Sequence, residues 1–300
     1  MFQRITAFFM ALIAALSAFF GTLPGRFKGY TYLLNTAYGE HSRQVVDIVL
    51  PKEKGETGLV LMIHGGAWIA GDKESYLSAL TYCADLGYAG AALNYRYISE
   101  NTDVSDILDA INSALAVIRA KSAEKGFAIS KVLLTGASAG AHLSLLYAYS
   151  RAETAPVKPV AVVSNCGPTD LTDPGYYQGN ALGDLNNMLK LMGYLTGVDI
   201  TADEFTSKSG SYEAFEKKLL EYSPVSYVNS ATVPTVINHG DSDTVVPYRN
   251  AVELDALLTE NSVPHDFVTY RNADHDLSGD NDAAEKSQEL LLKYAKTYLN

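Results

Sequence analysis

The chain has 300 residues, 47% of them hydrophobic, which is enough apolar content for one large core in a single α/β domain. Its formal net charge of −11 opposes nucleic-acid binding, because a surface that tracks phosphates needs concentrated Lys and Arg. Two cysteines, Cys83 and Cys166, are too few for a disulfide framework and read as buried thiols.

At the N-terminus, Arg4 precedes an uncharged apolar stretch over residues 5–20, followed by Gly21, Pro24, Gly25 and the basic Arg26 and Lys28. Its ~16 residues fall short of the ~20 that a comfortable membrane span needs. Residues 1–28 are therefore expected to be an export signal or an uncleaved N-terminal membrane anchor, with a helix packed on the fold as the third reading. The protein is expected to be secreted or membrane-anchored, outside the cytoplasm, with membrane contact only through this segment.

Residues 29–300 read as one domain. Alternation predicts strands over 30–34 and 44–50, joined by a turn at Gly39-Glu40-His41-Ser42, as the antiparallel edge of a sheet. Short apolar runs then follow at 59–63, 89–94, 131–134, 160–164, 235–238 and 267–270, separated by helical stretches near 74–86, 103–122, 139–150, 248–261 and 282–298. Strands alternating with helices predict a doubly wound, mostly parallel sheet with helices on both faces, whose reactive loops lie beyond the strand carboxyl ends. Residues 171–224 break the alternation and are too many for a structureless loop. They are expected to form a small helical cap over the pocket, the alternative being a helical connection packed away from it.

Four loops carry reactive residue types. Gly136-Ala137-Ser138-Ala139-Gly140 lies between an apolar strand and a helix-compatible run, the context in which G-x-S-x-G becomes a nucleophile elbow. His64-Gly65-Gly66-Ala67-Trp68 ends another strand, and its glycines leave backbone N–H groups free to face an oxyanion. Gly65, Gly66 and Ala139 are the candidate oxyanion donors. In the stretch 239–247 Asp243 is the better candidate for an orienting acid and Asp241 its rival, while His275 is presented before the last helix. His64, His142 and His239 are expected to brace loops, and Asp170 to fix a loop or the substrate. The histidines have no close i, i+4 pair on one helix, and neither a P-loop nor a dinucleotide fingerprint is present; no metal and no cofactor is expected.

With HGGAW at 64–68, NYRY at 94–97, GASAGAHL at 136–143, GPTDL at 167–171, YSPVSYV at 222–228, HGDSDTVVP at 239–247 and ADHDL at 273–277, the chain resembles the α/β-hydrolase esterases and lipases. It looks nearest to the hormone-sensitive-lipase-like carboxylesterases and the acetyl-xylan or feruloyl esterase-like branch. The order Ser138, Asp243, His275 is the chain order of the α/β-hydrolase triad. The resemblance implies a serine carboxylesterase that forms an acyl-enzyme on small-molecule or carbohydrate esters with short-chain or aromatic acyl groups, acetyl or feruloyl groups on polysaccharide among them. The HGG-x-W turn also resembles arylformamidases, so an amidase or peptidase on the same fold stays open, as does a non-catalytic small-molecule-binding protein. Trp68 and the cap residues Leu191, Met192 and Tyr194 are the candidate pocket walls, with Met188, Leu195, Tyr176 and Tyr177 beside them. Such walls predict rates that fall beyond about six acyl carbons. The oligomeric state is not legible.

Overall fold

The computed structural model describes residues 29–179, 181–280 and 282–300; the leader read at 1–28 lies outside the described residues. Ten strands are described: β1 (Thr31–Ala37), β2 (Val45–Leu50), β3 (Gly55–Glu56), β4 (Leu59–Ile63), β5 (Ala89–Leu93), β6 (Phe127–Ala128), β7 (Lys131–Ala137), β8 (Lys158–Asn165), β9 (Thr235–Gly240) and β10 (His265–Tyr270). Eight of them form one sheet in the order β1-β2-β5-β4-β7-β8-β9-β10, and β3 pairs with β6 apart from it. β2 is antiparallel to both β1 and β5, and every later pair from β5 to β10 is parallel.

The central strands read as unbroken apolar runs because both faces of the sheet are covered. Side chains alternate between faces with period two, so one strand serves two cores. On β4, Leu59, Leu61 and Ile63 join the core shared with α2 (Val104–Ala123) and α3 (Ala139–Ser150), while Val60 and Met62 pack against α1 (Leu77–Asp85) and α8 (Ala283–Tyr298). Between β8 and β9 the chain forms α4 (Leu185–Thr196), α5 (Ala202–Ser207) and α6 (Tyr212–Glu221), and α7 (Arg249–Glu260) joins β9 to β10. Among the described residues, no helix is long and apolar enough to cross a membrane.

Cap chemistry sets the helix starts. Asp103 and Asp106 exchange side-chain and backbone hydrogen bonds in a capping box at the head of α2, and Asp184 accepts from the Asn187 amide at the head of α4. The lower end of the insertion is tied to α7: Asp173 is buried against Asn250 and Arg249, and Asn250 in turn accepts from the amides of Thr169 and Asp170.

Candidate active site

β7 runs directly into α3, and Ser138 stands at the junction with φ 55° and ψ −126°. That left-handed backbone costs a non-glycine residue about 1–3 kcal/mol, and packing around the turn has to hold it. The strand, helix and neighbouring β4 approach so closely that a Cβ on Gly140 would stand 2.0 Å from the Ile63 carbonyl oxygen, and one on Gly136 2.6 Å from the same atom. The glycines of the G-x-S-x-G run are thus required by space. The Ser138 amide donates to the Asn165 carbonyl at 2.9 Å, and the Ser138 carbonyl accepts from the His142 amide at 3.0 Å, which anchors the turn on both sides.

Three side chains from separate loops converge there. His275 Nε2 lies 2.9 Å from Ser138 Oγ, and His275 Nδ1 lies 2.8 Å from Asp243 Oδ2. The carboxylate accepts only, so Nδ1 carries the proton and Nε2 is left free to accept from the serine hydroxyl. All three side chains are buried, with Ser138 4% exposed. Asp241 points elsewhere: its Oδ1 accepts from the Asn272 amide at 2.7 Å and from Ser242 Oγ. Asp170 likewise binds its own loop, accepting from the Thr172 amide and hydroxyl.

Asp243 is held from every side. Its Oδ1 accepts from the amides of Val245 and Val246, both at 2.8 Å, and its Oδ2 accepts from His239 Nε2 at 3.2 Å as well as from His275. Burial by itself pushes this carboxyl up, but the charge and hydrogen bonds of His275 and His239 outweigh it and hold the group well below the usual carboxylate range. His239 shares its proton with the Val246 carbonyl at 3.2 Å. Its contact with Asp243 was not legible, because a strand-end histidine four residues from an acid has no fixed geometry in sequence.

The turn after β4 closes the other side. Gly66 has φ +109°, and Ala67 and Trp68 follow at φ 47° and 60°, two consecutive non-glycine residues in the left-handed region. The Gly66 carbonyl accepts from the Ile69 and Ala70 amides, the Trp68 carbonyl from Ile98, and the His64 carbonyl from the Tyr95 hydroxyl. A Cβ on Gly65 would come within 2.6 Å of the Ala137 carbonyl oxygen, so this turn presses on the elbow itself. Arg43 seals the outside: it donates to the carbonyls of Tyr95 and Gly71 and lies 3.9 Å over the Tyr97 ring.

His64 and His142 brace these loops in neutral form. His142 Nε2 donates to the Tyr222 carbonyl at 2.8 Å, which leaves Nδ1 to accept from Trp68 Nε1 at 3.2 Å and pins the indole. His64 Nδ1 donates to the Gly65 carbonyl at 2.9 Å, and its Nε2 faces Arg43 at 3.3 Å. Burial lowers both imidazoles from 6.5 to about 4. Because the unfolded chain takes up these protons first, their contribution to stability is intact above pH 6.5 and is lost as pH falls from 6.5 to 4. At 1.36 kcal/mol per pK unit the loss is about 3 kcal/mol for each histidine. Urea unfolding of His142→Gln, which cannot charge, is expected to show a weaker loss of stability between pH 6.5 and 4 than the parent, even if its stability at pH 7.5 is lower. An unchanged slope contradicts this assignment.

The space in front of Ser138 is a small, partly open apolar pocket of about 10 Å³ bounded by Ala67, Trp68, Pro168, Tyr176, Leu182, Met192, Val245 and Val246. Trp68 and Met192 line it; Leu191 and Tyr194 do not. Successive helical residues turn by 100°, so when α4 turns Met192 to the cavity, Leu191 enters the core and Tyr194 packs half-buried against that core under Lys190. Pro168, Leu182, Val245 and Val246, the walls that sequence reasoning misses, carry no periodic signal.

Residues 46–258 match the BD-FAE family. The chain belongs to that family. The BD-FAE region covers β2 through α7, including the elbow and Asp243, while His275 follows it. Similar chains include the probable carboxylic ester hydrolase LipM of Mycobacterium tuberculosis, 29% identical over 240 residues, covering 75% of this chain and 51% of that one. The esterase LipQ of the same organism is 27% identical over 203 residues, covering 67% of this chain and 46% of that one. The chain thus spans about half the length of these relatives. Esterase B from Lactobacillus rhamnosis superimposes with a TM-score of 0.73 at 18% identity, covering 98% of this chain and 95% of that one. A truncated carbohydrate esterase from gut microbiota does so at 0.70 and 19%, covering 90% and 99%. At these identities the likeness establishes the α/β-hydrolase fold for this BD-FAE member.

Proposed function

We propose that the protein is a serine carboxylic ester hydrolase that removes short acyl groups, acetyl foremost, from carbohydrate or other small alcohols. The observation that carries this reading is the hydrogen-bonded line Ser138 Oγ, His275 Nε2, His275 Nδ1, Asp243 Oδ2, with separations of 2.9 and 2.8 Å, ending on a small apolar pocket. The names of LipM, LipQ and the gut carbohydrate esterase support it.

In this mechanism Ser138 Oγ attacks the ester carbonyl carbon while His275 Nε2 takes the hydroxyl proton. Asp243 stabilises the imidazolium that results and does not itself take the proton. The developing oxyanion is met by the Ala139 amide at the head of α3, where the helix dipole adds positive potential, and by amides of the 65–67 turn. His275 then gives its proton to the leaving alcohol oxygen, and the acyl group stays on Ser138. Water attacks this ester with His275 again as base, releasing the acid and restoring the serine.

Cavity size selects the acyl group. A space of about 10 Å³ is close to what one water molecule needs, so an acetyl methyl fits and a feruloyl ring does not. On nitrophenyl esters from acetyl to decanoyl, kcat/KM is expected to be highest for acetyl and to fall at once with length, sooner than the six carbons expected from the cap residues as walls. Cutting Met192 to Ala lengthens the cavity, and each methylene then admitted should add ~0.8 kcal/mol, about fourfold in kcat/KM. Met192→Ala is therefore expected to raise the butyryl to acetyl ratio about fifteenfold, whereas Leu191→Ala leaves the ratio unchanged and lowers stability only. Acetylated xylan, methyl ferulate and N-formylkynurenine belong in the same panel. Decanoyl as the best substrate makes the protein a lipase, and turnover of formamides alone makes it an amidase.

A further inference from the structure

A second reactive grouping sits directly behind the orienting acid. Cys166, the residue after β8, is held in the left-handed region at φ 50° by a 2.8 Å hydrogen bond from its amide to the Asn238 carbonyl. Its sulfur, a ring nitrogen of His239 and a carboxylate oxygen of Asp243 all lie within 4.8 Å of one another. The nitrogen to oxygen separation is 3.2 Å. A tetrahedral Zn²⁺ with bonds of ~2.3 Å to sulfur and ~2.0–2.2 Å to nitrogen and oxygen holds its ligands about 3.3–3.6 Å apart, so small side-chain shifts would seat the ion.

A route to Cys166 exists that does not pass Ser138. A cavity of about 190 Å³ lies under the start of α8, lined by Cys166, His275, Asp276, Ser278, Asp280 and mainly apolar side chains of the sheet and helix. Ser278 is exposed and Cys166 is buried, so the cavity leads from the surface to Cys166. The two aspartates on its wall favour the entry of a cation. Cys83, in contrast, is buried among apolar residues of α1 and the sheet.

The geometry points to an inhibitory site for a borderline-soft divalent cation, Zn²⁺ or Cd²⁺, built from Cys166, His239 and Asp243. On binding, the Cys166 thiol loses its proton to solvent and a metal–sulfur bond forms. His239 moves its proton from Nε2 to Nδ1 and ligates through Nε2, and Asp243 Oδ2 turns from His275 to the metal. His275 then lacks the partner that fixes its tautomer. Thiolate and imidazole select this class of ion, so Mg²⁺ and Ca²⁺, which prefer oxygen ligands, are excluded. The inhibition rests on the ester hydrolase reading, whereas the metal binding does not.

The test separates the two. Titration of the purified protein with Cd²⁺ is expected to give one equivalent of thiolate-to-cadmium charge-transfer absorption, retained in Cys83→Ser and lost in Cys166→Ser and Cys166→Ala. With a short ester as substrate, Zn²⁺ is expected to lower kcat without raising KM, reversibly on chelation, while Mg²⁺ has no effect. Losing the sulfur should weaken Zn²⁺ inhibition at least as much as the ~10–100-fold cost of losing an outer-shell partner of a metal site. A missing absorption band, a band that follows Cys83, or equal Zn²⁺ inhibition in the Cys166 variants overturns the site. A protein inactive on every ester yet showing the Cys166 band overturns the hydrolase reading and leaves the metal site standing.

Discussion

Ser138→Ala is expected to lower kcat/KM on a short nitrophenyl ester by between ~10³ and ~10⁶-fold while leaving the fold and the thermal midpoint near those of the parent. The hydroxyl is the atom that His275 Nε2 addresses at 2.9 Å, and nothing else at the elbow offers a nucleophile on that line. The residue already occupies a left-handed backbone position that alanine tolerates about as well as serine, so the loss should be chemical. What remains is the binding and oxyanion contribution of the amides, which the substitution does not touch. An organophosphonate probe should attach to Ser138 and to no other residue by mass spectrometry. Labelling elsewhere with activity retained in the variant removes Ser138 from the mechanism.

Much of the architecture was legible because strands covered on both faces leave an unmistakable trace. Leu59–Ile63 carries five apolar residues in a row, and the structure places them in two cores at once. The strand ends were harder. β7 continues through Thr135, Gly136 and Ala137, which pair with Val163, Ser164 and Asn165, yet small residues give no hydrophobic signal. β10 begins at His265 because a parallel ladder with β9 starts there, and on this edge strand the polar His265 and Asp266 are tolerated. The two-residue pairing of β3 with β6 rests on contacts across about seventy residues and has no local pattern.

The site divides along the same line. Residues bound to a local backbone shape, such as Ser138 between its glycines, are readable from spacing alone. Pocket walls are not, since α4 has apolar residues at 188, 189, 191, 192 and 195 and only the docking of the helix decides which of them meets the cavity. Nor is the meeting of Cys166 and His239 with Asp243, which the sheet order brings about by placing the ends of β8 and β9 side by side.

Asp243→Asn is expected to cost ~10⁴-fold in kcat, against a few-fold at most for Asp241→Asn. The argument lies in how the carboxylate is held. Two backbone amides, from Val245 and Val246, donate to one side of the group, and only an oxygen satisfies them. An asparagine must therefore put its oxygen there and turn its NH₂ toward His275 Nδ1. That nitrogen then accepts, the ring proton moves to Nε2, and Nε2 no longer takes a proton from Ser138 Oγ. The same NH₂ also meets the Nε2–H of His239, donor against donor, which forces His239 to change tautomer or withdraw from the Val246 carbonyl. At Asp241 the single amide contact from Asn272 is met equally well by the amide oxygen of asparagine, and His275 feels nothing. Steady-state kinetics of the two variants on the acetyl ester, with circular dichroism to verify the fold, separates the positions. Equal losses, or the larger loss at position 241, would move the orienting role to Asp241 and break the line from Asp243 through His275 to Ser138.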